Sequence, residues 1–214
     1  MRKIIVSEFI SLDGVMEDPG GAEKTRQGGW AFQFERGPEG DKFKLDEVME
    51  SDAMLLGRIT YQGFAEAWPS RTGDFADKMN NMQKYVVSSS MQKADWKNSQ
   101  IIATNVVEEI SRLKTNPGGS ILVAGSRRLV DTLIKHNLVD EFRLMVYPVI
   151  LGEGKRLFND GSNRLPMKLV EARPVGAGIL ILVYHPVLVG SNPAITPIKN
   201  PSQEVAGEKR RSKI

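Results

Sequence analysis

Between residues 53 and 136, short apolar runs alternate with amphipathic segments of helical length, and this alternation leaves few folds open to the chain. AMLLG (53–57) is a buried strand ended by Gly57, and a helix follows through TYQGFAEAW until Pro69. Then come strands YVVSS and QIIAT, a helix with Asn105 as N-cap through VVEEISRLK, the turn NPGG, strand SILVAG and helix RRLVDTLIKH. Strands separated by helices of about ten residues are βαβ units, which require a mostly parallel sheet.

The flanks complete an α/β body. KIIVSEFISL (3–12) is a strand, followed by a glycine-dense loop from Asp13 to Gly40 and a helical segment that contains Phe43, Leu45, Val48 and Met49. A loop of that length in a compact domain is functional or mobile. After Asn137 the rhythm changes, because VDEFRLMVYPVI, PMKLVEARPV and GILILVYHPV have no helix between them. They are expected as an antiparallel β-meander at one side of a mixed, mostly parallel sheet.

Composition bounds what such a body does. The chain has 29 basic and 26 acidic residues, but five of the basic and two of the acidic ones lie in 188–214, which leaves 24 of each in 1–187. The body is formally neutral, so nucleic acid is not the expected partner. Residues 188–214 carry Pro193, Pro197, Pro201 and GEKRRSKI, a composition too poor in apolar residues to offset its ordering entropy, and are expected as a disordered basic tail. With no cysteine, disulfides, thiolate zinc sites and thiol nucleophiles are excluded. The start, MRKIIVSEF, lacks a signal-peptide pattern, and the apolar stretch 176–190 is too short to span a bilayer, so a cytoplasmic protein is expected. Of the two histidines, His136 sits where a helix would end and His185 at the end of the last strand, and no metal site is expected.

Two strand-to-helix turns carry chemistry. In LLGRITYQGF a buried strand stops at Gly57 and a helix opens with Arg58, Thr60 and Tyr61, placing unpaired N–H groups, a positive dipole end and a forked donor together. In ILVAGSRRLVDTL, Gly125 and Ser126 precede a helix that starts with Arg127 and Arg128. Each can also be an ordinary βα turn, with Gly57 as turn residue, Thr60 as cap and Arg58 as solvated charge. Two such turns in one sheet, with YVVSSS ending a third strand in hydroxyls, point to a phosphorylated cofactor at the strand ends.

ISLDG, LLGRITYQGF, YVVSSS and ILVAGSRRLVDTLIKHNLVDEFRLMVYPVILGEGKRLF, in this order, resemble the dihydrofolate-reductase-like superfamily across 1–187. The chain is most similar to the branch related to the riboflavin-biosynthesis pyrimidine reductase, the RibD C-terminal domain. That resemblance implies a three-layer α/β/α fold binding NADPH, with Gly57, Arg58 and Thr60 by the pyrophosphate and 2′-phosphate, Ser88 and Ser89 by the adenosine, and Gly125, Ser126 and Arg127 cradling the pyrophosphate. Where dihydrofolate reductases pair two glycines this chain has Gly125-Ser126. A homodimer is implied as well.

The acids available to the reaction are Asp13 in SLDG, Glu35 and Asp41. Asp13 sits on the loop that in this family borders nicotinamide and substrate, and Asp41 falls where dihydrofolate reductases hold the pterin-gripping carboxylate; either is also a plain turn or helix-dipole residue. Trp30 is a candidate lid over a planar substrate or an anchor of its loop. Gly152, Lys155 and Arg156 in LGEGKRLF are candidates for the substrate rim and its phosphate, or a solvated turn. The expected activity is hydride transfer from NADPH to a C=N or C=O bond of a small heterocyclic or ribosyl-linked substrate, with 5-amino-6-(5-phosphoribosylamino)uracil first and dihydrofolate second. The rival is a non-catalytic nucleotide-binding or dimerisation module.

Overall fold

The computed structural model describes residues 1–158 and 164–187. The expected tail lies outside the described residues. Eight strands form one sheet: β1 (Ile4–Ser11), β2 (Ser51–Gly57), β3 (Gln83–Val87), β4 (Ser99–Ile102), β5 (Ser120–Val123), β6 (Glu141–Tyr147), β7 (Met167–Val175) and β8 (Ile179–Pro186). Among the described residues five α-helices accompany them: α1 (Gly37–Met49), α2 (Arg58–Ala67), α3 (Asp74–Asn81), α4 (Val106–Thr115) and α5 (Arg127–Lys135). Their spatial order is β4-β3-β2-β5-β1-β6-β8-β7. β1 to β6 pair in parallel, whereas β8 runs antiparallel to both of its neighbours.

Strand alternation in IIVSEFIS divides the core between two faces. Ile4, Val6 and Ile10 pack with Ile110 and Leu113 of α4 and Leu129, Val130 and Leu133 of α5. Ile5 packs on the opposite side with Val48 of α1, Tyr61 of α2 and Met79 of α3. This is the expected α/β/α layering of a dihydrofolate-reductase-like fold. A third cluster, with Trp30, Tyr147, Ile179 and Ile181, closes the β6–β8 end.

The C-terminal strands are antiparallel neighbours as expected, but the last strand sits in the middle. ILILVYHP of β8 buries Ile179, Ile181 and Val183, while β7 carries Lys168, Glu171, Arg173 and Pro174. A proline and several charges suit an edge, and the more apolar strand takes the inner place. Helix α3 falls where the sequence pattern predicts none, since DFADKMNN is mostly polar and buries only Ala76 and Met79. α1 begins at Gly37, with Pro38 in its first turn, four residues before Asp41. His136 is the C-cap residue of α5.

The long loop before α1 is ordered by Asp18, which accepts from the Glu23 N–H at 2.9 Å, the Thr25 N–H at 2.9 Å and the Thr25 hydroxyl at 3.1 Å. Gly28 is required beside it, because a Cβ there would stand 2.2 Å from Asp18 Oδ2. Within the loop, Trp30–Gln33 form a short 3-10 turn.

On the far side, Lys84 of β3 is wholly buried and donates to the carbonyls of Asn80 at 2.8 Å, Met82 at 2.9 Å and Lys97 at 3.0 Å. Its ammonium also lies 4.2 Å from the Trp96 ring centre. This one side chain ties the end of α3 to the β3–β4 connection. Lys84→Ala strands three carbonyls in the interior, and the expected cost is about 3 kcal/mol in urea unfolding. A loss below about 1 kcal/mol would show that the clip is dispensable.

Candidate functional site

β5 stands between β2 and β1, and its chain leaves for the face opposite to theirs: α5 on one side, α2 and α1 on the other. Such a reversal opens a crevice at the carboxyl ends of the strands. There, Gly57 is the N-cap of α2 and Ser126 the N-cap of α5, and neither helix has a side-chain cap. The Gly57 N–H donates to the Gly125 carbonyl at 3.3 Å. A Cβ on Gly57 would lie 2.2 Å from Ser126 Oγ, and one on Gly125, at φ +87°, would lie 2.8 Å from Thr60 Oγ1. The Gly125-Ser126 peptide is cis.

Two uncapped helix N-termini therefore meet in one place, each with positive dipole potential and first-turn N–H groups. Arg58 is exposed and reaches Gln62 Oε1 at 3.2 Å; Arg127 is the first residue of α5 and half-buried. Gly57, Thr60, Gly125 and Ser126 are brought together in this way. The cradle extends across β2 to β3, where the buried Ser88 Oγ accepts from the N–H groups of Ser90 and Met91 and Ser89 is exposed. The uncapped termini, the adjoining arginines and the absence of side chains at Gly57 and Gly125 fit a pyrophosphate group.

Asp13 lies at the exit of β1. Its carboxylate accepts from Ser11 Oγ at 2.6 Å and from the N–H groups of Leu151 at 3.1 Å and Gly152 at 2.9 Å. Burial alone would raise this carboxyl, but those hydrogen bonds outweigh it and hold it down at about 2. The side chain thus clamps the loop after β1 to the loop after β6. Lys155 is ion-paired with Glu17, and Arg156 donates to the Asp13 carbonyl at 2.9 Å. Both cations expected at a substrate phosphate are thus engaged by the β1 exit loop.

A cavity of about 500 Å³ opens at the end of β6, lined by Phe32, Phe34, Arg36, Asp41 and Tyr147 among others. Asp41 is exposed and held by Arg36 at 2.9 Å, and the guanidinium sits 5.7 Å from the Phe9 ring centre. Burial pushes the Tyr147 hydroxyl up to about 12, against the pull of Arg36. Trp30 is 1% exposed, donates from Nε1 to the Glu17 carbonyl at 2.9 Å and meets Tyr147 edge-on at 5.3 Å. It forms part of the wall behind the cavity instead of a lid; the exposed aromatic at the rim is Phe32.

Three ionisable residues absent from the sequence-based candidates lie on β1 and α1. Lys44 of α1 is ion-paired with the buried Glu47 and donates to Ser7 Oγ at 2.7 Å, while Ser7 Oγ donates to Glu47 at 2.9 Å. Glu8 follows on β1. Burial pushes its carboxyl up to about 8, moderated by hydrogen bonding from the Gly125 backbone and by Lys44. An acid in the middle of the β-forming run IIVSEFIS was the available signal. Among the described residues, no group of three His, Cys, Asp or Glu side chains is placed to hold a metal ion, and no helix is long and apolar enough to cross a membrane.

The family model described as the RibD C-terminal domain matches residues 2–181. Two proteins of Bacillus subtilis (strain 168) are similar to the chain: "Uncharacterized protein YyaP" at 32% identity over 86% of this chain and 95% of its own, and "Uncharacterized protein YwjB" at 29% over 83% and 95%. Among solved structures, a "Putative riboflavin biosynthesis protein" from Shewanella sp. PV-4 superposes with TM-score 0.68 at 19% identity, covering 87% of this chain and 99% of that one. A pyrimidine reductase-like protein from Corynebacterium diphtheriae gives 0.61 at 12% identity over 87% and 92%. Dihydrofolate reductase from Enterococcus faecalis, complexed with NADP(H) and RAB-propyl, gives 0.56 at 14% over 86% and 96%. At these identities the solved structures share the fold.

The Asp13 clamp has a pH signature. A carboxyl whose folded pKa lies below its ordinary 3.8 stabilises the fold above about pH 4, and that contribution is lost as pH falls toward 2. Asp13→Asn is expected to cost about 1–2 kcal/mol at pH 7, with the difference from wild type shrinking between about pH 4 and 2. Urea unfolding across pH measures it; a gap independent of pH would exclude the clamp.

Proposed function

We propose, starting from the fact that this chain belongs to the RibD C-terminal domain family, that it is an NADPH-dependent reductase of a C=N or C=O bond in a small heterocyclic or ribosyl-linked substrate. The observation that carries this reading is the convergence of the α2 and α5 N-termini at Gly57 and Gly125-Ser126, without side chains in the way. NADPH, when bound, supplies the hydride. The chain's part is to hold and orient: the two N-termini take the pyrophosphate, and Arg58 and Arg127 meet the phosphates as forked donors. Ser88 and Ser89 flank the adenosine end. This proposal places the acceptor ring in the cavity by Phe32, Phe34 and Tyr147, with Arg36 facing any phosphate or acidic group it carries.

A phosphoribosylaminopyrimidine combines the planar ring and the anion that such a cavity would take, so it remains the first substrate and dihydrofolate the second. Asp41, through its pair with Arg36, belongs to the substrate side in this reading, whereas Asp13, Gly152 and Lys155 shape the rim. A homodimer remains part of the proposal on the family resemblance, and a cytoplasmic location on the N-terminal sequence.

Titration with NADPH, followed by nicotinamide fluorescence, is expected to show micromolar binding, with NADH weaker by about tenfold because it lacks the 2′-phosphate. Gly57→Ala, which sets a methyl against Ser126, and Arg58→Ala should each weaken NADPH at least several-fold. A wild-type protein that binds no NADPH would sink the reading.

A further inference from the structure

We infer that Asp41 is a stand-in for the anion of the substrate, seated on the edge of the Arg36 guanidinium that a phosphate carried by the ligand takes over. The inference rests on the reductase reading above, which puts the acceptor ring in the cavity at the end of β6. Arg36 is the one cation among the described residues that line this cavity, and Glu35 and Asp41 are its acids. Nε of Arg36 donates to Asp41 Oδ1 at 2.9 Å, and Nη2 lies 2.9 Å from the same oxygen. That edge of a guanidinium offers two parallel donors, which pair best with two oxygens of one carboxylate or phosphate. Asp41 meets them with a single oxygen.

The guanidinium is held more firmly by the sheet than by Asp41. It sits 5.7 Å from the Phe9 ring centre and hydrogen-bonds to the Tyr147 hydroxyl. Phe9 and Tyr147 belong to β1 and β6 and pack on each other at 5.4 Å, so this anchor stays when Asp41 leaves. The Asp41 side chain is 63% exposed and that of Arg36 29%. An ion pair so open to water contributes little, and its exchange costs little. A phosphate brings more charge and two oxygens to the same donors.

Phe32 and Phe34 line the same cavity, whose volume of about 500 Å³ suits a small molecule. The site therefore takes a planar ring and an anion together, and the ligand class is a heterocycle that carries a phosphate monoester. A neutral analogue leaves the Arg36–Asp41 pair in place and gains nothing from the guanidinium. Asp41 acts in this way as a competitor that only an anionic ligand displaces.

Calorimetric titration of the full chain with uridine 5′-monophosphate and with uridine reads the exchange without turnover. Wild type is expected to bind the monophosphate at least tenfold tighter than uridine. Arg36→Ala removes that preference, and Arg36→Lys, which keeps the charge but loses the fork, retains only part of it. Asp41→Asn removes the competing carboxylate, so it should tighten the monophosphate about threefold and leave uridine unchanged. Tyr147→Phe should weaken the monophosphate alone; weakening of both ligands would show a wall residue and overturn its anchoring role. A wild type that takes the two ligands alike overturns the inference, as does an Asp41→Asn variant that binds the monophosphate no tighter. Weaker binding in that variant would mean that Asp41 grips the ligand itself. Gly57→Ala tests the cofactor cradle as the phosphate site, and a preference lost there but kept in Arg36→Ala is equally fatal. NADPH binding is measured separately: its failure refutes the reductase reading, while the sign of the Asp41→Asn effect still decides this inference. Thermal unfolding checks that each variant keeps the fold.

Discussion

Two helices that leave adjacent parallel strands for opposite faces can begin in contact only where neither strand end carries a side chain. Gly57 and Gly125 meet that condition: each faces an oxygen of the other turn at a distance no Cβ tolerates. The contact fixes β2 against β5 at their carboxyl ends and leaves both helix N-termini uncapped at one point. The crevice follows from this, since α5 draws the chain to one face while α1 and α2 cover the other. The same sterics explain why a small hydroxyl residue is tolerated at Ser126: its Oγ fills the space a Gly57 side chain would need.

Around the crevice, environment separates acids that are chemically alike. Asp13 sits among donors and stays ionised, so it serves as a tether between two loops far apart in sequence. Glu8 sits among apolar strands with one oxygen unpartnered, and burial favours its neutral form. Lys44 and Glu47 lie on the opposite face of β1, where Ser7 links them in one hydrogen-bonded group. A strand thus presents an ionic pair on one side and a neutral acid on the other, with only the pleat between them.

The βα alternation was legible because each unit carries its own local signals: Asn105 before α4, Gly57 before α2, Pro69 after it. The cofactor-side residues were legible for the same reason, since a strand, a glycine turn and a helix start lie within a few positions of each other. What needed the structure was decided by remote partners. Asp13 reads as a turn acid until Leu151 and Gly152, 138 and 139 positions away, are seen to hold it. Trp30 reads equally as lid or anchor until Tyr147 packs on its edge. The place of β8 inside β7 depends on which strand can lose solvent on both faces, a comparison between strands that no local pattern makes.

Charge in this protein acts by position. With 24 basic and 24 acidic residues in 1–187, no net field draws an anion to the body, and many charges cancel locally, as Lys155 with Glu17 and Arg36 with Asp41 do. Oriented backbone dipoles are not part of that cancellation, because they carry no net charge and reach only about one helical turn. A phosphate held at the α2 and α5 N-termini would therefore be selected at contact range and not by steering from afar. Such a site discriminates by the placement of individual phosphates, and its affinity should depend far less on salt than that of a protein whose basic surface gathers anions from solution.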